Sequence, residues 1–132
     1  MRGAGEAKLK LRGFRDLKVY QESYNLAMGI FEKSKTFPQE ERYSLIRQIR
    51  RSSRSVAANI AEGYRKRRYP NIFVSKRVDS DAEAAESVVW LDFAYACGYL
   101  SINDHNQLKA GYEEVGRMLS SMIHLTEKFQ PS

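Results

Sequence analysis

At 132 residues, with 42% hydrophobic and 29% charged side chains, the chain has the size and apolar content of one folded domain, so a second independent domain is not expected and general disorder is excluded. No apolar run nears the roughly 18 residues of a membrane span, and "MRGAGEAKLKLRG" holds no continuous apolar stretch, so no membrane role is expected and the default compartment is the cytoplasm. The formal charge of +6 hides an asymmetry: residues 1–77 carry 19 basic and 7 acidic side chains, residues 78–132 only 3 and 9. Such a split suits contact with a polyanion, or pairing of one subunit's basic surface with another's acidic one.

Residues 1–13 lack periodicity and read as a flexible basic tail, and the domain is expected over residues 14–132. From Asp16, a candidate N-cap, Val19, Tyr20, Tyr24, Ala27, Ile30, Phe31 and Ser34 recur at three- and four-residue spacing and predict a first helix. In "TFPQEER", Thr36 is a cap candidate, Pro38 suits a first turn, and Glu40 and Glu41 suit the positive end of a helix dipole. A second helix is predicted from about residue 38 to 66, with Leu45, Ile49, Val56, Ile60 and Tyr64 toward the core, beside Ile46, Ser53 and Ala57.

Pro70 disfavours helix at Tyr69 and starts a third helix that runs to Cys97, where Gly98 can end it in a left-handed conformation. The apolar line of this helix is expected through Val78, Ala85, Val89 and Ala96, with Asp79, Glu83, Glu86 and Trp90 to one side. A fourth helix starts with Ser101 or Asn103 as cap and places Leu108, Tyr112, Val115, Leu119, Met122, Ile123, Thr126 and Phe129 on one side. Four long helices joined by short turns, without strand-like alternation, predict an all-α, antiparallel up-down-up-down four-helix bundle.

The second helix carries a basic strip opposite its apolar line. Arg47, Arg50, Arg51, Arg54 and Arg65 fall close to one line, and Lys66, Arg67 and Arg68 extend it into the turn. On their own face Arg47, Arg50, Arg51 and Arg54 have no acidic neighbour, and like charges at such spacing repel, so an anionic partner is the expected compensation. Guanidinium groups suit bidentate recognition of phosphate or carboxylate. Trp90 beside Glu83 and Glu86 suits a subunit contact, in which the basic helix of one copy meets the acidic helix of another and a ring closes.

The stretches "FRDLKVYQ", "FPQEERY", "QIRRSSRSVAANIAEGY" and "GYL", within about residues 14–129, resemble the four-helix proteins encoded in bacterial 23S ribosomal RNA intervening sequences. The resemblance implies one bundle domain, often a homopentamer, with no established catalytic activity. Accessory proteins of diversity-generating retroelements look related, which implies basic surfaces that bind nucleic acid and a reverse transcriptase. Arg47, Arg50 and Arg51 match the family's basic positions. Asn59, Ile60, Ala61, Glu62, Gly63 and Tyr64 match its signature, in which Asn59 and Glu62 are expected to bond a neighbouring helix or subunit and Gly63 to permit close helix approach. Arg65 stands where the family usually has glycine, and "YPNIFVSKRVDSDAEAAE" departs from the family's apolar pattern.

Enzymatic sites are not supported. His105 and His124 lack metal-pair spacing and are expected on the surface, one cysteine makes no internal disulfide, and no glycine-rich phosphate loop follows a strand, so no metal or cofactor is expected. Most tyrosines, Tyr43 included, are expected on or beside core strips, with Tyr69 as the one placed to stack on a base. The reading is a non-catalytic homo-oligomer that binds RNA or DNA, RNA foremost, through phosphate contacts from Arg47, Arg50, Arg51, Arg54, Arg65, Lys66, Arg67 and Arg68. The alternative is a protein-interaction module whose charged faces pair between subunits or with a protein such as a reverse transcriptase.

Overall fold

The computed structural model describes residues 11–122. Among them are four long helices, α1 (Lys18–Ser34), α2 (Arg47–Arg65), α3 (Pro70–Ala96) and α4 (Ile102–Met122), and no strand. Short connections force successive helices antiparallel. Each helix packs on two others, α1 on α2 and α4, and α3 on α2 and α4, with α2–α3 the most extensive pairing. The result is the expected all-α four-helix bundle. Ile123, Thr126, Phe129 and His124 lie outside the described residues.

The helix starts differ from the sequence reading. Leu17, extended at ψ 127°, precedes α1, and the Asp16 carboxylate accepts the Arg12 amide at 2.9 Å instead of capping. Thr36 donates its hydroxyl back to the Lys33 carbonyl at 2.8 Å and caps nothing. The second helix is not continuous from residue 38, because Pro38 is extended at ψ 146°. A 3-10 turn, Gln39–Glu41, and a five-residue π turn, Arg42–Ile46, lead into α2 instead. At the far end of α3, Gly98 takes φ +81° and lets the Tyr99 amide reach the Ala94 carbonyl at 2.9 Å. Ser101 caps α4 by accepting the Asp104 amide at 3.0 Å.

The core faces of α2 and α4 follow their sequence periodicity. Leu45, Ile49, Val56, Ile60 and Tyr64 are buried, as are Tyr112, Val115, Leu119 and Met122. On α1, Val19, Ser23, Ile30 and Ser34 are buried but Tyr24 is exposed.

The apolar line expected on α3 is overturned. Val78 is 50% and Val89 46% exposed, and Ala85 and Ala96 are exposed too. The buried face is Phe73, Ser80, Ala84, Ser87, Leu91 and Ala94. Small side chains win that side because α3 lies close against α2. Ser52 and Ser87 hydroxyls pair at 2.8 Å, the Ser80 hydroxyl donates to the Val56 carbonyl at 2.8 Å, and Ser87 also donates to the Glu83 carbonyl. Buried hydroxyls so satisfied carry little desolvation penalty. Tyr112 stands over this seam near Ser53 and Ser87 without a well-aligned hydrogen bond, and burial pushes its ionisation upward.

His105 is the other correction. It is buried, not a surface residue: its Nε2 lies 2.7 Å from Asp92 Oδ1, and its ring lies 5.1 Å from Tyr95, so it ties α4 to α3.

Gly63 has the role expected of it. A Cβ there would lie 3.1 Å from Lys76 Cβ on α3, so any larger side chain would push the two helices apart. Gly63→Leu is expected to destabilise the fold by about 1–3 kcal/mol, the usual cost of overpacking. Urea unfolding would show this as a lower midpoint at unchanged slope, and an unmoved midpoint would mean that the α2–α3 seam yields freely.

Candidate nucleic-acid interface

In the π turn before α2, Leu45 is held in the core while Arg42 and Tyr43 are exposed. It is anchored from below by Glu41, whose carboxylate accepts the Ser44 hydroxyl at 2.7 Å and the Tyr99 hydroxyl at 2.9 Å. The Ser44 and Tyr99 bonds hold Glu41 below the ordinary carboxylate range, and the Glu41 bond chiefly pushes Tyr99 up to about 12.

From this turn the arginines follow one side of α2. Arg42, Arg47, Arg50, Arg51 and Arg54, with Ile46, Ser55 and Ala58, line an open groove of about 530 Å³. Two aromatic rings organise it. The Arg50 and Arg54 guanidinium carbons lie 4.7 and 5.8 Å from the Phe31 ring centre on α1, and those of Arg42 and Arg47 lie 5.9 and 5.3 Å from the Tyr43 ring centre. Arg50 is further fixed by donating Nε–H to the buried Ser34 hydroxyl at 2.8 Å. No carboxylate among the described residues forms an ion pair with Arg42, Arg47, Arg50 or Arg54.

Arg51 differs: its own helix face carries no acidic neighbour, as expected, but the compensation comes from the next helix and not from a separate partner. Its guanidinium reaches Glu83 at 3.2 Å and also binds Glu86, both on α3 of the same chain. Trp90 donates its indole N–H to Glu86 at 3.0 Å. Burial raises the Glu86 pKa, but the bonds from Arg51 and Trp90 outweigh it and the net shift is downward; Arg51 is held more firmly protonated, chiefly by Glu86. The Arg51 contact with acidic α3, placed between subunits by the sequence reading, is therefore satisfied within one chain. Trp90 is half-buried and packs on the core edge.

The eight basic residues singled out from sequence do not come together. Arg65, Lys66, Arg67 and Arg68 lie at the other end of α2, about 27 Å from Arg47 at 1.5 Å per residue. Arg67 is also engaged locally, 4.2 Å from the Tyr64 ring centre and bonded to the Tyr64 carbonyl at 3.0 Å. Arg65, Lys66, Arg68 and the 60%-exposed Tyr69 remain open around the α2–α3 turn. Of the signature residues, Asn59 bonds only its own helix, at the Ser55 carbonyl, whereas Glu62 pairs with Lys76 of α3 at 2.7 Å.

Arg42, Tyr43 and Phe31 were missed as site residues. The signal for Tyr43 was present: Tyr43, Arg47, Arg50 and Arg54 fall at i, i+4, i+7 and i+11, one helical stripe. Tyr43 is 70% exposed, against the expectation that it sits on or beside a core strip.

The outer face of α3 is the second surface feature. Val78, Ala82, Ala85, Val89, Phe93 and Ala96 recur at three- and four-residue spacing and are all exposed. No group of three or more His, Cys, Asp or Glu side chains able to hold a metal ion occurs among the described residues. None of their helices is long and apolar enough to cross a membrane.

Together these features define a helical bundle with an arginine-lined groove on one face and an apolar stripe on another. Residues 15–121 match the family model for the 23S rRNA-intervening sequence protein, and the chain belongs to that family. It is also similar to a crystal structure of a protein of unknown function from the S23 ribosomal protein family of Bacteroides thetaiotaomicron, at 25% identity and a TM-score of 0.72, covering 80% of this chain and 97% of that one. No curated protein matches.

The depressed Glu86 pKa sets a pH signature for the Arg51 bridge. Its stabilisation is complete above the ordinary value of 4.5 and is lost as pH falls through the folded value. Glu86→Gln is expected to lower the thermal midpoint at about pH 7, and the deficit is expected to shrink progressively as the pH is taken below 4.5. A deficit that does not shrink would show that the glutamate charge contributes nothing.

Proposed function

We propose that this protein is a non-catalytic, homo-oligomeric RNA-binding bundle that holds phosphates in the α2 groove. The observation that carries the reading is the convergence of Arg42, Arg47, Arg50 and Arg54 on one groove without a carboxylate partner among the described residues. Four uncompensated guanidinium groups repel one another, and an oligoanion is the ligand that relieves the repulsion. The family's association with 23S rRNA favours RNA as that polyanion. Contacts to phosphate carry little sequence information, so recognition here is of backbone and shape. The open cluster of Arg65, Lys66 and Arg68 gives a second phosphate contact further along the same strand.

The test uses Arg47→Glu with Arg54→Glu, since both side chains are exposed and neither makes a hydrogen bond that the fold needs. The double variant is expected to lose RNA binding while keeping its fold and solution mass. For the parent, four phosphate contacts predict an affinity loss of about 50- to 150-fold between 50 and 200 mM salt. If the double variant instead dissociates into monomers, the arginines serve assembly, as the alternative of a protein-interaction module requires. Retained oligomers without RNA binding at either salt in the parent would turn the search toward a protein partner, such as the reverse transcriptase that the retroelement likeness implies.

For assembly, the exposed apolar stripe of α3 is a better anchor than Trp90, because Trp90 already spends its N–H on Glu86 and its ring on the core edge. Family resemblance favours five copies. Val89→Asp with Phe93→Asp is expected to reduce the light-scattering mass to that of a monomer, whereas Trp90→Ala leaves it closer to the parent's. A double variant of parental mass would remove α3 from the subunit interface.

A further inference from the structure

We infer that Tyr43 is a nucleobase-stacking residue, and that the groove beside it takes an unpaired nucleotide of RNA in preference to a duplex. This rests on the proposed RNA-binding function and names its ligand class more narrowly.

Tyr43 lies on the π turn, 70% exposed, against Arg42 and Arg47 of the arginine groove. A tyrosine that served the core would bury its ring, as Tyr64 does at 5% exposure one helix-length away. Arg67 covers the Tyr64 ring at 4.2 Å, and Arg42 and Arg47 lie over the exposed Tyr43 ring at the longer distances of 5.9 and 5.3 Å. A base that stacks on Tyr43 takes the place of one of these cations, which then stands beside it to hold a flanking phosphate. Beyond them Arg50 is already oriented by Ser34 and Phe31, so the next phosphate position is fixed before ligand arrives.

This combination of phosphate donors with an exposed aromatic ring selects against duplex. In an A-form helix the bases are stacked inside and the deep groove is too narrow for side chains, so an aromatic ring on a convex helix face reaches no base. In a single-stranded loop or end the base can turn out and stack, and because every base has a π face the contact tolerates any sequence.

The measurement is the anisotropy of labelled oligouridine and of a labelled RNA duplex of the same length, titrated with the full chain at 50 and 200 mM salt. The parent is expected to prefer oligouridine. Tyr43→Ala is expected to weaken oligouridine binding by about 5- to 150-fold, the range for one base–aromatic stack, with the salt dependence unchanged. Tyr43→Phe should restore most of the affinity, since the ring and not the hydroxyl makes the contact. A Tyr43→Ala variant that binds as the parent does, a Tyr43→Phe variant as weak as Tyr43→Ala, or equal affinity of the parent for duplex and single strand would each overturn the inference while leaving RNA binding in place. A parent that binds neither RNA at 50 mM salt would overturn the RNA-binding function itself, and this inference with it. Because Tyr43 is exposed, the variants should keep the parent's circular dichroism and mass.

Discussion

The close approach of α2 and α3 is the constraint on which the rest of the molecule depends. It is made by residues with little to bury: Gly63, Ser52, Ser53, Ser80, Ala84 and Ser87. Ordinary helix pairs stand 8–10 Å apart according to the bulk between them, and small residues permit the near end of that range. Hydroxyls that bond each other and backbone carbonyls replace part of the apolar contact, so the seam specifies register as well as distance. Apolar weight is supplied from elsewhere, by Ile49, Val56 and Ile60 of α2, Val115 and Leu119 of α4, and Leu91 at the far end of α3.

That proximity sorts the charges. Along the α2–α3 edge, Arg51 reaches Glu83 and Glu86, and Glu62 reaches Lys76. These pairs are largely solvent-exposed, so they contribute more to the alignment of the two helices than to net stability. On the opposite edge, toward α1, the neighbour among the described residues is Phe31 and not a carboxylate, and the arginines there are held by its ring face and by Ser34. A cation on an aromatic ring keeps its full charge and most of its donors, so the same contact that orders these side chains leaves them able to bind an anion. Within the basic strip Arg51 is therefore neutralised inside the fold, while Arg47, Arg50 and Arg54 form no ion pair with a carboxylate of the described residues.

The seam also decides what α3 shows to solvent. With its small residues turned inward, Val78, Val89 and Phe93 face outward, an inversion of the usual amphipathic arrangement that a lone subunit gains nothing from. In the π turn before α2, at the bundle's end, Leu45 is inside while Tyr43 is exposed beside Arg42 and Arg47.

The sequence by itself determined the helix count, the turns at Pro70 and Gly98, a cap at Ser101 or Asn103 and the apolar faces of α2 and α4, because each depends on residues adjacent along one helix or turn. It also placed Arg47, Arg50 and Arg54 on a common face and assigned Gly63 to close packing. Only the tertiary structure decided which side of α3 is inside, since both sides carry apolar or small residues and periodicity alone favours the bulkier one. The same holds for Arg51, whose partners lie 32 and 35 residues away, and for His105, whose burial depends on Asp92 and Tyr95 across the bundle. Local spacing fixes direction around one helix axis; whether a side chain meets a carboxylate, a ring or water there is set by the neighbouring helix.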